Sequence, residues 1–315
     1  MDMLLLSAAD VERLLPPATL LDALAEGFQA LTRDQVVAPQ RQEVSVPAAG
    51  SLLVMPAWQA GMDITVKLVS AFHGNQQLGI PGHHALICLF DAGTGVPVAI
   101  MDGTSITAIR TAGASALSAH LLARSDAHIL TIVGAGVQGA AHLRLVAQVG
   151  DFQEIRVASR SFDAAQKLAA MHPRATAPES VETAVRGADV VCLCSASDTP
   201  IIHRDWLTLG THVTSVGYHP PGGELDHAII EQGRLFVETR QALAPPPVGC
   251  AELAGIAPES VTELGEVLLD QRPGRQSAQE LTVYKSMGHA MEDLVAAHLV
   301  YQRAKQDGSG QLVTL

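Results

Sequence analysis

Residues 128–150, HILTIVGAGVQGAAHLRLVAQVG, decide how the rest of this chain is read. The apolar run from Ile129 to Val133 reads as a buried strand, and it ends in Gly134-Ala-Gly136-Val-Gln-Gly139. A small-residue helix follows, then a second strand, EIRVASRS, closing on Ser159, Arg160 and Ser161. This is G-x-G-x-x-G in the setting that gives it meaning: after a strand, opening a helix, inside a βαβ unit. Gly134 makes the tight turn, Gly136 lets the backbone approach a pyrophosphate, and Gly139 lets helix and strand pack closely. The start of the helix, with Val137 and Gln138 in its first turn, offers free N–H groups and partial positive charge to phosphates. A lone glycine motif would be weak, and the flanking strand and helix are what turn it into an expected dinucleotide site.

The second strand bears on which dinucleotide. Folds that bind NAD place an acid about 20 residues past the glycines to hold the ribose 2′-hydroxyl. Counting from Gly139 that position is Ser159, and the triplet Ser159-Arg160-Ser161 contains no acid. A guanidinium and two hydroxyls suit an anionic 2′-phosphate. NADP(H) is therefore the preferred cofactor and NAD(H) a possible one; the plainer alternative is that Arg160 is a solvated turn residue.

With 315 residues the chain has room for two domains of ordinary size, each with its own core. Its 32 Asp and Glu against 20 Lys and Arg leave a formal charge of −12, which argues against nucleic acid as a partner. A few focused cations could still hold a small anionic metabolite. MDMLLLSAADVERLL lacks a basic leader, and no span approaches the roughly 18 uncharged apolar residues of a membrane helix. Cys88, Cys192, Cys194 and Cys250 have neither metal nor disulfide spacing, so the expected compartment is a reducing cytoplasm.

In chain order, Ser7 and Asp10 form a candidate capping box for a first helix. Leu20, Leu24, Phe28 and Leu31 have helical spacing after Pro16-Pro17. Between 42 and 70 the character changes to short strands. In one of them, Lys67 shares a face with Thr65 and Val69, either an exposed sheet face or a pocket. HHALICLF and VPVAIMDG read as a hairpin joined by Asp91 to Gly95, and the Ala-, Ser- and Gly-rich stretch after Asp102-Gly103 as a helix. Arg110 near the start of that helix opposes the macrodipole, which favours a nearby anion. Beyond the fingerprint, alternating strands and helices imply a parallel, doubly wound sheet. Ser195-Ala-Ser197 and Gly217-Tyr-His219 fall on its carboxyl edge, where such sheets bind ligands. Asp226 is an expected N-cap, Tyr284 to Lys305 an expected helix, and the residues from Gly308 on an expected loose tail.

With these segments laid out, the chain resembles the ornithine cyclodeaminase/mu-crystallin family over nearly its full length. The stretches that carry the likeness are VMPAW (54–58), VKLVS (66–70), D-x-x-TG-x-P (91–97), MDG-x-x-ITAIRTAGASAL (101–117), VGAGVQG (133–139), PGGEL (221–225) and TVYKSMG (282–288). The resemblance implies an α/β fold with a Rossmann domain at 123–289. It also implies a discontinuous N-terminal α/β domain, 1–122, for substrate binding and homodimerisation, rejoined by a C-terminal helix at 290–315. It implies hydride transfer at the α-carbon of a small amino or imino acid. Arg41, Lys67 and Arg110 would bind the substrate carboxylate, with Met287 beside the substrate and Lys67 also exchanging a proton. Besides the fingerprint residues and the Ser-Arg-Ser triplet, Thr111, Ser195, Gly217 and Ser286 would face the cofactor. A small carboxylate does need several charge-assisted donors, which agrees with the three cations.

Two positions depart from the cyclodeaminases of that family. They carry an acid where this chain has Ser-Arg-Ser, and a catalytic aspartate where this chain has His219. The leading expectation is therefore an NADPH-dependent reductase of cyclic ketimines, pyrroline-2-carboxylate or piperideine-2-carboxylate, with His219 as a catalytic residue. An ornithine cyclodeaminase, an alanine-dehydrogenase-like enzyme and a mu-crystallin-like ligand-binding protein are the alternatives.

Overall fold

The computed structural model describes residues 2–217, 219 and 221–314, excepting the side chains of residues 73 and 76. Tyr218, named above before His219, and Pro220 lie outside the described residues. The chain begins with β1 (Asp2–Leu6), α1 (Ala8–Leu14), α2 (Pro17–Thr32), β2 (Val36–Val37), β3 (Gln42–Val46), β4 (Gly50–Gln59), β5 (Ile64–Ala71), β6 (His83–Phe90), β7 (Pro97–Asp102) and α3 (Gly103–Leu122). It continues through β8 (Ile129–Val133), α4 (Val137–Val146), β9 (Glu154–Ala158), α5 (Phe162–Ala169), β10 (Ala175–Thr176), α6 (Val181–Val185), β11 (Val190–Leu193) and β12 (His212–Ser215). It closes with α7 (His227–Gln232), β13 (Arg234–Val237), β14 (Thr262–Glu263), α8 (Leu264–Leu268), β15 (Thr282–Lys285), α9 (Ala290–Asp307) and β16 (Gln311–Thr314). The fold is α/β. Two compact units divide it, residues 1–110 with 289–315, and residues 111–288. The division falls inside α3, between Arg110 and Thr111, where the sequence reading drew its line after that helix.

In the first unit the strands run in the order β16-β1-β7-β6-β5-β4-β2, with β3 on β4. The helix α9 packs on β4 and β5 and against α1 and α2. Its Ala290 and Leu294 meet Met55 and Ala57 in an apolar cluster. Gly27 is what lets α2 come this close, because a Cβ there would overlap the Met291 sulfur. The Ser7–Asp10 capping box is formed, with the Asp10 carboxylate accepting the Ser7 N–H at 3.0 Å.

The chain end departs from expectation. Residues Tyr284 and Lys285 belong to β15, fully buried between β12 and β13, and not to a helix. The final helix starts at Ala290 and ends at Gly308, whose φ of 65° takes the left-handed turn that glycine tolerates. It does not run to 315. The residues expected to be a loose tail form β16, antiparallel to β1, which itself also pairs with β7. A four-residue strand whose partner lies some three hundred residues away leaves no local period to read.

The second unit is an all-parallel sheet in the order β10-β9-β8-β11-β12-β15-β13-β14, the doubly wound arrangement read from the alternation. The order reverses between β8 and β11, which places the ligand crevice at their carboxyl ends. Small residues in the second half of α3 allow close packing here. Ser115 Oγ meets His142 Nε2 at 2.9 Å, and Ser118 Oγ meets His212 Nε2 at 3.2 Å, all four side chains being fully buried. Cys192 and Cys194 are core thiols, and all four cysteines are free. Among the described residues no helix is long and apolar enough to cross a membrane.

Candidate functional site

The fingerprint glycines take three different roles, each set by what a side chain would meet. Gly134 has φ +122°, and a Cβ on it would overlap the Cys194 carbonyl. On Gly139 a Cβ would overlap the Gly134 carbonyl oxygen, so this glycine closes α4 onto β8. Gly136 is different: a Cβ there meets nothing within 4 Å. It is the N-cap of α4 and gives that helix no side-chain cap. The first-turn N–H groups are left for a partner from outside the helix. Val137 is exposed there, and the buried Gln138 Oε1 has no hydrogen-bond partner among the described residues. These features fit a pyrophosphate. After β9, Ser159 is half-buried and Arg160 and Ser161 are exposed. Ser161 caps α5 by accepting the Ala164 N–H at 3.3 Å and keeps its own proton to donate.

In the first unit Lys67 and Arg110 meet in a buried cluster built on α9. Lys67 lies on the α9 face of β5, only 2% exposed, which excludes the solvent-facing reading. Its Nζ is 2.6 Å from Asp293 Oδ2. Arg110 Nε donates to Asp293 Oδ1 at 3.0 Å and its Nη1 to Glu292 Oε2 at 3.1 Å. These acids answer the macrodipole argument: the anions beside Arg110 are the protein's own. Burial pushes the Lys67 pKa down, Asp293 pulls it back, and repulsion from Arg110 and Arg41 leaves it at about 8. Burial would raise the Asp293 carboxyl, but Arg110 and then Lys67 hold it below the usual carboxylate range. His289, the cap of α9, is driven to about 4 by burial and then by Arg41, and so stays neutral. Arg41 is half-buried within electrostatic reach of both. Lys67 and Arg110 thus share Asp293, and Arg110 also holds Glu292.

At the carboxyl edge of the second unit, Ser195 and Gly217 are joined by Glu224, a residue to which the sequence reading assigned no role. The fully buried Glu224 carboxylate accepts the Ser195 N–H and Oγ–H, each at 2.7 Å, through one oxygen. The other oxygen accepts the Gly217 N–H at 2.6 Å and the Ser215 Oγ–H at 3.0 Å. Lys285 Nζ donates to the Gly217 carbonyl at 2.7 Å and pairs with Glu252 at 2.5 Å. Glycines 222 and 223 of the PGGEL stretch are required because a Cβ would overlap the Asp198 carbonyl and the Glu252 carboxylate, respectively. Ser286 is buried and donates to Glu238 at 2.6 Å. Met287 is half-buried against the apolar core of this unit, His219 is half-buried, and Thr111 is buried in α3.

Thus the structure joins Lys67 and Arg110, with Arg41 in electrostatic reach, and gathers the glycine turn, Ser195 and Gly217 at one sheet edge. The acids Glu224, Glu252, Glu292 and Asp293 and the cation Lys285 were missed, although Glu224 and Lys285 stand inside quoted motifs. An acid directly after paired glycines, and a lysine in an otherwise apolar strand, were the available signals.

Comparison with known proteins supports one assignment. The profile of the ornithine cyclodeaminase/mu-crystallin family matches residues 1–308. Ketimine reductase mu-crystallin of Mus musculus is 37% identical over 292 residues, covering 91% of each chain. The structure of Thermococcus litoralis Delta(1)-pyrroline-2-carboxylate reductase in complex with NADH and L-proline superposes with a TM-score of 0.93 at 30% identity, covering 99% of this chain and 100% of that one. An archaeal alanine dehydrogenase dimer with bound NAD gives a TM-score of 0.87 at 28% identity, with both chains covered completely. The chain belongs to the ornithine cyclodeaminase/mu-crystallin family.

Proposed function

We propose that this enzyme is an NADPH-dependent reductase of cyclic ketimines, pyrroline-2-carboxylate or piperideine-2-carboxylate. The observation that carries the reading is Lys67, a buried lysine with a pKa of about 8, paired with Asp293 beside Arg110. Arg110 and Arg41 offer a substrate carboxylate charge-assisted donors. When bound, the reduced nicotinamide supplies the hydride to the imine carbon. As the C=N π pair withdraws onto nitrogen, that nitrogen needs a proton, and a lysine poised near neutrality can deliver it. The new C–H and N–H bonds complete a cyclic amino acid. His219, half-buried after the strand that ends at Ser215, is a second candidate proton donor. Two relatives support the substrate class: one named a ketimine reductase, the other a pyrroline-2-carboxylate reductase holding L-proline, the amino acid that reduction of that imine yields. The Ser159-Arg160-Ser161 triplet supports NADPH.

The test is one preparation assayed with each cyclic imine and with L-ornithine, following nicotinamide absorbance, ammonia and proline together. Imine reduction faster than ornithine conversion is the expected result. Proline and ammonia from ornithine without imine reduction would establish the cyclodeaminase instead, and NADPH binding without turnover would indicate a ligand-binding protein.

A further inference from the structure

We infer that Glu224 is a positioning residue that locks the two strand-end loops at Ser195 and Gly217 into the arrangement that receives the nicotinamide half of the dinucleotide. The inference rests on the reading that the second unit binds such a cofactor. In a doubly wound sheet the two mononucleotide halves lie on either side of the reversal in strand order. Here the glycine turn after β8, with β9, serves the adenosine half, and the ends of β11 and β12 serve the other. The loops that leave β11 and β12 have no ladder of their own beyond Leu193 and Ser215. Past the Val216 N–H bond to the Leu193 carbonyl at 3.1 Å, one carboxylate joins them, with one oxygen on Ser195 and the other on Gly217 and Ser215.

Among the described residues the Glu224 carboxylate accepts from four donors, and four donors saturate an ionised carboxylate. Gly217 is gripped on both sides, its N–H by Glu224 and its carbonyl by Lys285. It has no room for a side chain, since a Cβ would overlap the Ser195 carbonyl and crowd the Glu224 carboxylate. Glu252 balances Lys285 and also accepts the Leu225 N–H at 2.9 Å, tying the residue after Glu224 into the same network. A glutamine at 224 keeps the shape but turns an NH2 toward at least one N–H or O–H donor, so one loop loses its anchor.

The test separates positioning from general stability by using two ligands. Reduced dinucleotides, NADPH and NADH, span both halves, whereas 2′-phospho-ADP-ribose and ADP-ribose lack the nicotinamide. In Glu224→Gln, measured below its melting temperature, binding of NADPH and NADH should weaken about tenfold or more while binding of the two fragments changes less than about twofold. Equal weakening of dinucleotides and fragments, or no change in either, overturns the inference. Should Glu224→Gln not fold, Ser215→Ala, which removes one donor to the carboxylate, is read in its place. It should weaken dinucleotides about threefold with fragments unchanged, and an equal effect on both again overturns the proposal. Wild-type protein that binds no dinucleotide would instead refute the cofactor reading, a separate outcome.

Discussion

Lys67→Ala and Arg110→Ala should each lower kcat/KM for imine reduction about a hundredfold, with NADPH affinity nearly unchanged, because in the proposed reaction each deletes a charged donor to the substrate. Each also leaves Asp293 short of a partner inside the protein, so thermal midpoints should be measured alongside the kinetics. Near-normal turnover in either variant would remove that residue from the substrate site. The Lys67 proton sets a pH dependence whose sign is fixed. Its pKa is lowered to about 8, so the ammonium is present below that value and is lost as pH rises through it. Wild-type kcat/KM should therefore decline above about pH 8. Arg160 carries the other prediction at this scale. NADPH should bind about tenfold tighter than NADH, and Arg160→Ala should remove most of the difference, since one charge-assisted contact is worth about 1.5–3 kcal/mol. Equal affinities of the wild-type protein for the two cofactors, measured by titration, would refute it.

Among the elements, the turn from β8 into α4 divides glycines needed for folding from one that leaves room for a ligand. Gly136→Ala puts a methyl into open space with φ near −92°, so the free protein should melt within about 2 °C of wild type. NADPH binding should nevertheless weaken about tenfold or more, because the methyl occupies the approach of the pyrophosphate. Unaltered affinity would place the phosphates elsewhere. A second prediction concerns the histidines that join α3 to the sheet unit. Burial lowers the His142 pKa to about 4 and, with the Arg275 charge adding to the effect, that of His212 to about 3. The unfolded chain, with histidines near 6.5, binds protons in a range where the folded protein does not. These residues thus cost nothing above pH 6.5, and below it each removes about 1.4 kcal/mol of stability per pH unit until its folded pKa is reached. The urea midpoint should be flat from pH 8 to 7 and fall between pH 6.5 and 5, above the range in which depressed carboxylates such as Asp293 regain protons. A midpoint constant down to pH 5 would contradict the assignment.

For the molecule as a whole, one sheet face of the first unit carries half-buried and exposed apolar residues. Lys67 and its neighbours face α9, while Val66, Leu68, Leu86, Cys88 and Ile100 lie on the opposite face in directly paired positions. Leu86 is 52% exposed. An apolar sheet face of this kind is a recognition surface, and a second copy related by a twofold axis would bury it. We propose a homodimer on this face. Light scattering coupled to gel filtration should return twice the chain mass, and Leu86→Asp should return a single chain with its helical signal intact. A wild-type monomer at micromolar concentration would refute the dimer.

The sequence alone determined the parallel sheet, the glycine turn, the hairpin at 91–97 and the helix caps at Ser7 and Asp226. All of these are local: a strand, a turn and a helix follow one another within about thirty residues, and each glycine answers to backbone it nearly touches. It also singled out Lys67 and Arg110, since a cation in an apolar setting is conspicuous by itself. What balances those cations was invisible, because Asp293 and Glu292 lie about two hundred residues away on a helix whose acids look like an ordinary polar face. Glu224 was hidden for a similar reason. Its four donors come from the ends of β11 and β12 and the loops that follow, and the parallel pairing of those strands brings them to one carboxylate. The strand β16 was missed because its edge partner is β1, at the other end of the chain. Periodicity and turn chemistry are properties of neighbours in sequence. Charge balance, edge pairing and loop anchoring are properties of neighbours in space, and only the folded chain decides which residues those are.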